Sequence, residues 1–309
     1  MCRMSAWVFA LVMAFTTSCF ADDTEPSKIF EKVIAAYTSM ETYKAEGTSI
    51  SDIDMGGKMI NTSTEFSIIL KKPNLYRISW NQKSIWTQKS TLMPDMVQSG
   101  AVWSDGTQPY LYIGGAKAYS KMANDLAALG SATGISGGAA FTIPSIFLSV
   151  FKEQLAPFSR LTNPKLVKVE PVENEGCYVI TGSSASSKQE TFWISKSRYL
   201  IIKYSQSLEV PEGGRTVPEI TDEQLTETIK EMGQEVTEER KQQVREMMKK
   251  DLLQTTKMKG SLTELHVHVS SPELNKADFQ FALPEGTALK ESLFGGAFSG
   301  SSGGESTSH

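Results

Sequence analysis

The chain has 309 residues, 40% hydrophobic and 21% charged, which suits a folded globular protein and excludes wholesale disorder. Lys+Arg 31 against Asp+Glu 35 gives a net charge of −4, so no bulk basic excess points to nucleic acid. Three cysteines are too few for a disulfide scaffold, and 23 glycines with 12 prolines are too few for a linker-dominated chain.

Residues 1–21 read as a cleavable secretory signal peptide: Arg3 is the only charge, an apolar run covers Ala6 to Phe15, and small polar residues precede Ala21. The run is too short to span a bilayer, which takes about 20 residues. Cys19 supports a second reading, a lipid anchor on that cysteine. Cleavage after Ala21 leaves Cys177 alone, so the mature chain has no internal disulfide.

Pro26 suits the first turn of a helix, and Ile29, Phe30, Val33, Ile34 and Tyr37 form one apolar stripe at helical spacing. From about Tyr43 the period changes to two. Phe66, Ile68 and Leu70 alternate on one strand, and Tyr76, Ile78 and Trp80 on the next, with Pro73-Asn74 as the turn. A second strand pair is predicted at Ala101–Ser104 and Tyr110–Ile113, joined through Asp105-Gly106. The stretch Lys121–Leu155 breaks the sheet pattern. It reads as a short helix around Met122, Leu126 and Leu129, a mobile Gly130–Gly138 loop, and a helix from Pro144. Strands resume at Leu166–Glu170, Cys177–Thr181, Glu190–Ser195 and Tyr199–Gln206, a half-buried antiparallel meander. Residues 218–253 read as a charged amphipathic helical insertion packing one side on the sheet. The final strand, Ser261–Val269, is expected to bury Leu265, Val267 and Val269 and to leave Glu264, His266 and His268 on a solvated face. Residues 291–309 are Gly/Ser-rich and expected to be disordered.

Four segments together resemble the LolA/LolB-like superfamily of periplasmic lipoprotein carriers. They are Ile69-Leu-Lys-Lys-Pro-Asn-Leu-Tyr-Arg-Ile-Ser-Trp80, Val102-Trp-Ser-Asp-Gly106 with Tyr110-Leu-Tyr-Ile113, Thr191-Phe-Trp-Ile-Ser195, and Asp278-Phe-Gln-Phe-Ala-Leu-Pro-Glu-Gly286. The resemblance covers most of residues 25–290, and the helical insertion departs from the small carriers of the family. It implies an α+β fold: an incomplete antiparallel β-barrel, or half-barrel, cupping an apolar cavity, with helices plugging its mouth. The domain is then 22–290. The resemblance also implies that a basic residue before the Pro-Asn turn and an aromatic on the next strand handle cargo. Here those are Lys72 and Tyr76.

A lipid cavity needs apolar side chains facing inward and few polar anchors. The alternating strands offer Phe66, Ile68, Leu70, Tyr76, Ile78 and Trp80 as its lining, with Lys72 at the mouth. Enzyme readings lack support. Three histidines leave few bases for a Ser-His-Asp triad, and no phosphate-binding Gly-x-x-x-x-Gly-Lys loop is present. His266 and His268 share a strand face with Glu264 but have no third ligand, so neither metal nor cofactor is expected. Cys177 reads as a small core residue.

The function expected is a non-enzymatic, monomeric periplasmic carrier of a lipid or lipoprotein, served by membrane-associated donor and acceptor proteins and binding no nucleic acid. The alternative is an envelope sensor or protein-interaction module that uses the half-barrel and the insertion.

Overall fold

The computed structural model describes residues 25–55, 59–86, 96–151, 158, 160–184, 187–209, 221–222, 225–226, 229, 236–255 and 258–293. The expected signal peptide and nearly all of the C-terminal tail lie outside them, as does part of the insertion.

Helix α1 spans Pro26–Ser39 and opens the described chain, with Pro26 in its first turn. Its stripe buries Ile29, Phe30, Val33 and Tyr37, while Ile34 stays 40% exposed. Strands β1 (Thr42–Met55), β2 (Met59–Lys71), β3 (Leu75–Trp86), β4 (Met96–Asp105), β5 (Pro109–Ile113) and β6 (Ala118–Lys121) follow as an antiparallel meander. Residues 122–161 then hold α2 (Asp125–Thr133), α3 (Pro144–Phe147) and a 3-10 turn at Ser149–Phe151. A second meander follows, of β7 (Thr162–Val172), β8 (Glu175–Ser184), β9 (Ser187–Ser195) and β10 (Ile201–Glu209). Helix α4 (Glu238–Thr255) precedes β11 (Met258–Ser270), and β12 (Ala288–Leu289) ends the sheet.

All twelve strands form one open sheet, in the order β12-β6-β5-β4-β3-β2-β1-β11-β10-β9-β8-β7. Every pairing is antiparallel except β12 with β6. The two meanders meet where β11 inserts beside β1, in unbroken register over Glu46–Met55 and with a bulge before it at Lys44. The inner face carries one continuous core. Tyr43, Ile68, Leu70, Ile78 and Leu111 from one wing and Ile180, Phe192, Ile194 and Ile201 from the other join it, with α1, α2 and α3 between them. A sheet whose two wings share one core is covered on that face by the helices, and the opposite face is left to the chain's C-terminal stretch. There Phe281 and Leu283 pack with Trp103 and Tyr112.

The insertion sits between the neighbouring strands β10 and β11. Among the described residues its buried side chains, Leu225, Ile229 and Val244 with Val236 against them, form a cluster of their own. Periodicity alone pointed to the sheet as the cover for this apolar stripe; the insertion instead buries it against itself. Salt bridges from Lys241 and Arg245 to Asp222 tie its two parts together at the surface.

Helix α1 is fixed at its C-terminal end by two polar contacts. Lys72 donates to the carbonyl oxygens of Tyr37, at 3.0 Å, and Thr38. A cation there complements carbonyls that have no helical partner. The buried Tyr37 hydroxyl accepts the Ile201 amide at 3.1 Å, where β10 slips register against β9. The bulge frees that amide from the ladder, and the tyrosine supplies its partner. Tyr37→Phe keeps the ring and strands a buried N–H. It should cost about 1–3 kcal/mol in urea unfolding, and a neutral result would show that the bulge is satisfied some other way.

Candidate functional site: a cleft at one end of the inner face

The inner face changes character along its strands. On β1, Tyr43 and Ala45 are buried in the core, and the same alternation continues to Ser49 and Ser51. On β2, the run Leu70, Ile68 and Phe66 continues backward to Thr64 and Thr62. On β3, Trp80 is followed on that face by Gln82. The apolar part lies toward α1 and the β2–β3 turn, and the polar part toward the ends where β1 passes into β2 and β10 into the insertion.

A cleft of about 460 Å³ opens over the polar part. Its sheet wall is Ser49, Ser51, Thr62, Thr64, Gln82, Gln206, Leu262 and Glu264, with Tyr204 beside them. Its other wall comes from the crossing segment: Gly137, Gly138, Phe141, Thr142 and Arg160. A volume in this range and a mixed lining are those of a small-molecule site. A smaller cavity of about 40 Å³ adjoins it, shares Phe141, Thr142, Arg160 and Tyr204, and adds Phe158, Glu190 and Phe192.

The cleft and the smaller cavity beside it each hold one buried carboxylate. Glu264 is 0% exposed; its Oε1 accepts from Thr142 Oγ1 at 2.9 Å, and its Oε2 lies 3.5 Å from His266 Nε2. Glu190 is 1% exposed; its Oε2 accepts from the Tyr204 hydroxyl at 2.9 Å and lies 3.9 Å from Arg160. Burial first, then the Glu190 carboxylate, hold the Tyr204 phenol far above its usual range, with Glu264 adding to the rise. Ser49 Oγ, Glu190 Oε1 and Glu264 Oε2 are buried without a hydrogen-bond partner in the protein. Each such atom in a sealed core would cost about 1–3 kcal/mol or more.

Placement of β11 reverses the expectation from its sequence. Leu262, Glu264 and His266 point inward and are buried, whereas Leu265, Val267 and Val269 are only half-buried and His268 is exposed. Pairing dictates this: Glu264 stands opposite Ser49 and His266 opposite Gly47, in phase with the inner residues of β1. Two histidines expected on one solvated face are thereby separated, one inside and one out. Among the described residues no group of three or more His, Cys, Asp or Glu side chains is placed to hold a metal ion. The Cys177 thiol is buried, and burial, then Glu175, pushes its pKa up to about 11, so it is a poor nucleophile.

None of the seven residues singled out by alternation and resemblance lines the cleft: the six apolar ones share its sheet face, and Lys72 sits at the far end, in the turn after β2. Phe66, Ile68, Leu70, Tyr76, Ile78 and Trp80 form the core beneath the helices. Tyr76 donates to Asp125 Oδ1 at 2.9 Å and so anchors the start of α2. Lys72 caps α1 and stands 5.0 Å over the Phe147 ring. The cleft residues missed in the sequence had one legible signal, a change from apolar to Ser, Thr and Gln in unbroken phase along β1, β2 and β3.

The Gly130–Gly138 segment, expected to be a mobile loop, is docked against the sheet at its C-terminal end. Gly137 and Gly138 have φ of +63° and +93°, and a Cβ on Gly138 would lie 2.0 Å from Glu264 Oε1. Glycine is needed there for both the backbone and the close approach.

No protein-family model matches the sequence, and no curated protein matches it. Similar solved structures include an uncharacterized conserved protein from Thermus thermophilus (8% identity, TM-score 0.36, covering 85% of this chain and 97% of that one). They also include the Mycobacterium tuberculosis lipoprotein LppX (11%, 0.35, 80% and 95%) and a LolA superfamily protein from Nitrosomonas europaea (10%, 0.23, 82% and 97%).

Two glycine substitutions separate docking from general loop tolerance. Gly138→Ala meets both a strained φ and Glu264, and should cost more than about 2 kcal/mol and raise protease cutting around residue 138. Gly130→Ala lies within α2 with nothing within 4 Å of the new Cβ. It should be neutral or add up to about 1 kcal/mol in chemical denaturation. Equal effects at the two sites would mean that the segment is not pinned to the sheet.

Proposed function

We propose that the protein is a periplasmic, non-enzymatic binder or carrier of an amphipathic molecule, a lipid or lipidated protein, held on the inner face of the half-barrel. The observation that supports this most is the cleft of about 460 Å³ abutting a large apolar core on one sheet face. Its polar residues suit a head group. The adjoining Phe66, Ile68, Leu70, Tyr76, Ile78 and Trp80 offer apolar surface for chains where α2 and α3 now lie, with Lys72 at the far end. Each buried CH₂ of a chain contributes about 0.8 kcal/mol, so an acyl chain of ordinary length can repay the displacement of a short helix. Among the described residues no helix is long and apolar enough to cross a membrane.

The insertion favours a second reading, an interaction module. It has a small core of its own and emerges at the same end of the sheet as the cleft. The partner in that reading is a protein.

Residues 22–309, exported to a bacterial periplasm and purified without detergent, should carry an extractable lipid or lipopeptide near one per chain by mass spectrometry. After removal of that ligand they should take up an apolar naphthylamine dye, and Phe141→Asp should abolish uptake. A ligand-free protein that also rejects the dye would sink the carrier reading. Loss of a captured partner on removing residues 218–253 would then support the second.

A further inference from the structure

The smaller cavity is built to hold a cation, and the chain now places one of its own there. Arg160 has its guanidinium carbon 5.0 Å over the Phe141 ring and a nitrogen 3.9 Å from Glu190 Oε2. The ring face and the carboxylate are the two groups that hold an ammonium or guanidinium ion out of bulk water. More aromatic surface closes the site: Phe192 lies 4.9 Å from Tyr204 and 5.3 Å from Phe158, centroid to centroid.

The match between Arg160 and Glu190 is incomplete. At 3.9 Å the pair is longer than a charge-assisted hydrogen bond, Glu190 Oε1 has no protein partner, and the Arg160 side chain remains 40% exposed while Glu190 is 1% exposed. A fully buried carboxylate is thus held by a loosely placed, solvent-reachable cation. Glu264, the other buried carboxylate of the adjoining cleft, also has an oxygen without a hydrogen bond. His266 stands beside it and lines neither cavity. Glu264 Oε2 faces the His266 ring at 3.5 Å, so the acceptor left over at the smaller cavity is Glu190 Oε1, and a group that satisfies it must donate a hydrogen bond.

We propose that this cavity is a head-group subsite for a positively charged amphiphile, a protonated primary or secondary amine whose N–H groups donate to Glu190. Arg160 acts as an internal stand-in that swings to solvent when the ligand's cation arrives. The assignment rests on the amphiphile-binding reading above and specifies its head-group chemistry. An anionic head would face Glu190 and Glu264 with Arg160 as its one cationic contact among the lining residues of the two cavities.

The two choices give opposite results for one substitution. Purified full-length protein, freed of bound lipid, is titrated with dodecylammonium, dodecanoate and dodecyl maltoside below their micelle concentrations, each displacing an apolar naphthylamine dye. The ammonium should bind at least about tenfold more tightly than the carboxylate, a difference of about 1.4 kcal/mol. Arg160→Gln should tighten ammonium binding, because the internal competitor is gone. Glu190→Gln should erase the preference and spare maltoside binding. Arg160 is partly exposed, so its variant tests the idea even if Glu190→Gln fails to fold. Dodecanoate binding that is tighter than ammonium and lost in Arg160→Gln would make Arg160 an anion anchor and overturn the proposal. Equal binding of all three would overturn the head-group assignment and leave the amphiphile reading intact. Failure of all three to bind would overturn both.

Discussion

The structure turns on a problem of connection. Strands β6 and β7 follow one another in the chain and stand ten strand positions apart in the sheet. At about 4.8 Å per strand that is roughly 48 Å along a flat sheet. Residues 122–161 have to make the crossing, and the described ones among them lie over the inner face. The same segment therefore closes the topology, supplies α2 and α3 to the core, and forms one wall of the cleft. Its anchors are spaced along the way: Asn124 caps α2 by accepting the Ala127 amide, Asp125 takes the Tyr76 hydroxyl, and Thr142 reaches Glu264. Apolar contact continues on both sides of the middle of the crossing, through Leu129 and Ala132 before it and Ile143, Phe147 and Phe151 after it. The cleft lies at that middle, where Gly137, Gly138 and Thr142 meet Ser49, Thr64 and Glu264.

Much of this architecture was legible in the residues. A period of two located the long strands because each has one buried face, and Pro26 with its stripe located α1. The spacing of Leu126 and Leu129, and Pro144 further on, marked the helices of the crossing. The strands β6 and β12 were not legible: four residues and two residues give too short a pattern to count. The insertion's stripe was legible, but a stripe specifies that something covers it and not what. In the folded chain the cover is the insertion's own second part.

The face of β11 is the instructive failure. Hydropathy favoured Leu265, Val267 and Val269 as the buried side, and for an isolated strand that choice is sound. Register overrides it. β11 lies between β1 and β10, and its inward residues are whichever stand in phase with Ser49 and Tyr204. Those are Leu262, Glu264 and His266. Leu265 and Val267 on the outer side are covered only in part, and Val267 lines a depression of about 530 Å³ together with Phe281; Val269, beyond the bulge at His268, packs against the main core as its hydropathy suggests. Strand pairing is long-range information that alternation does not carry, and polar residues facing inward are what a binding site looks like when read as a core.

Glu264 is where the fold and the cleft meet. One of its oxygens holds Thr142 and so fixes the crossing segment; the same oxygen sits against Gly138, which no other residue could replace without a clash. The other oxygen faces His266. A carboxyl group buried to this degree depends on its neighbours, since removing its Thr142 partner leaves a buried polar atom unsatisfied and costs about 1–3 kcal/mol. An apolar pair of similar volume would fill the same space without that exposure to failure. A chain that retains Glu264, Glu190 and Ser49 on the face that otherwise forms its core gives up stability there, and what it gains is a set of acceptors at fixed positions beside an apolar surface. Glu264 Oε1 keeps a second lone pair beside the one Thr142 uses, so the atom that docks the crossing segment can also accept from a group in the cleft.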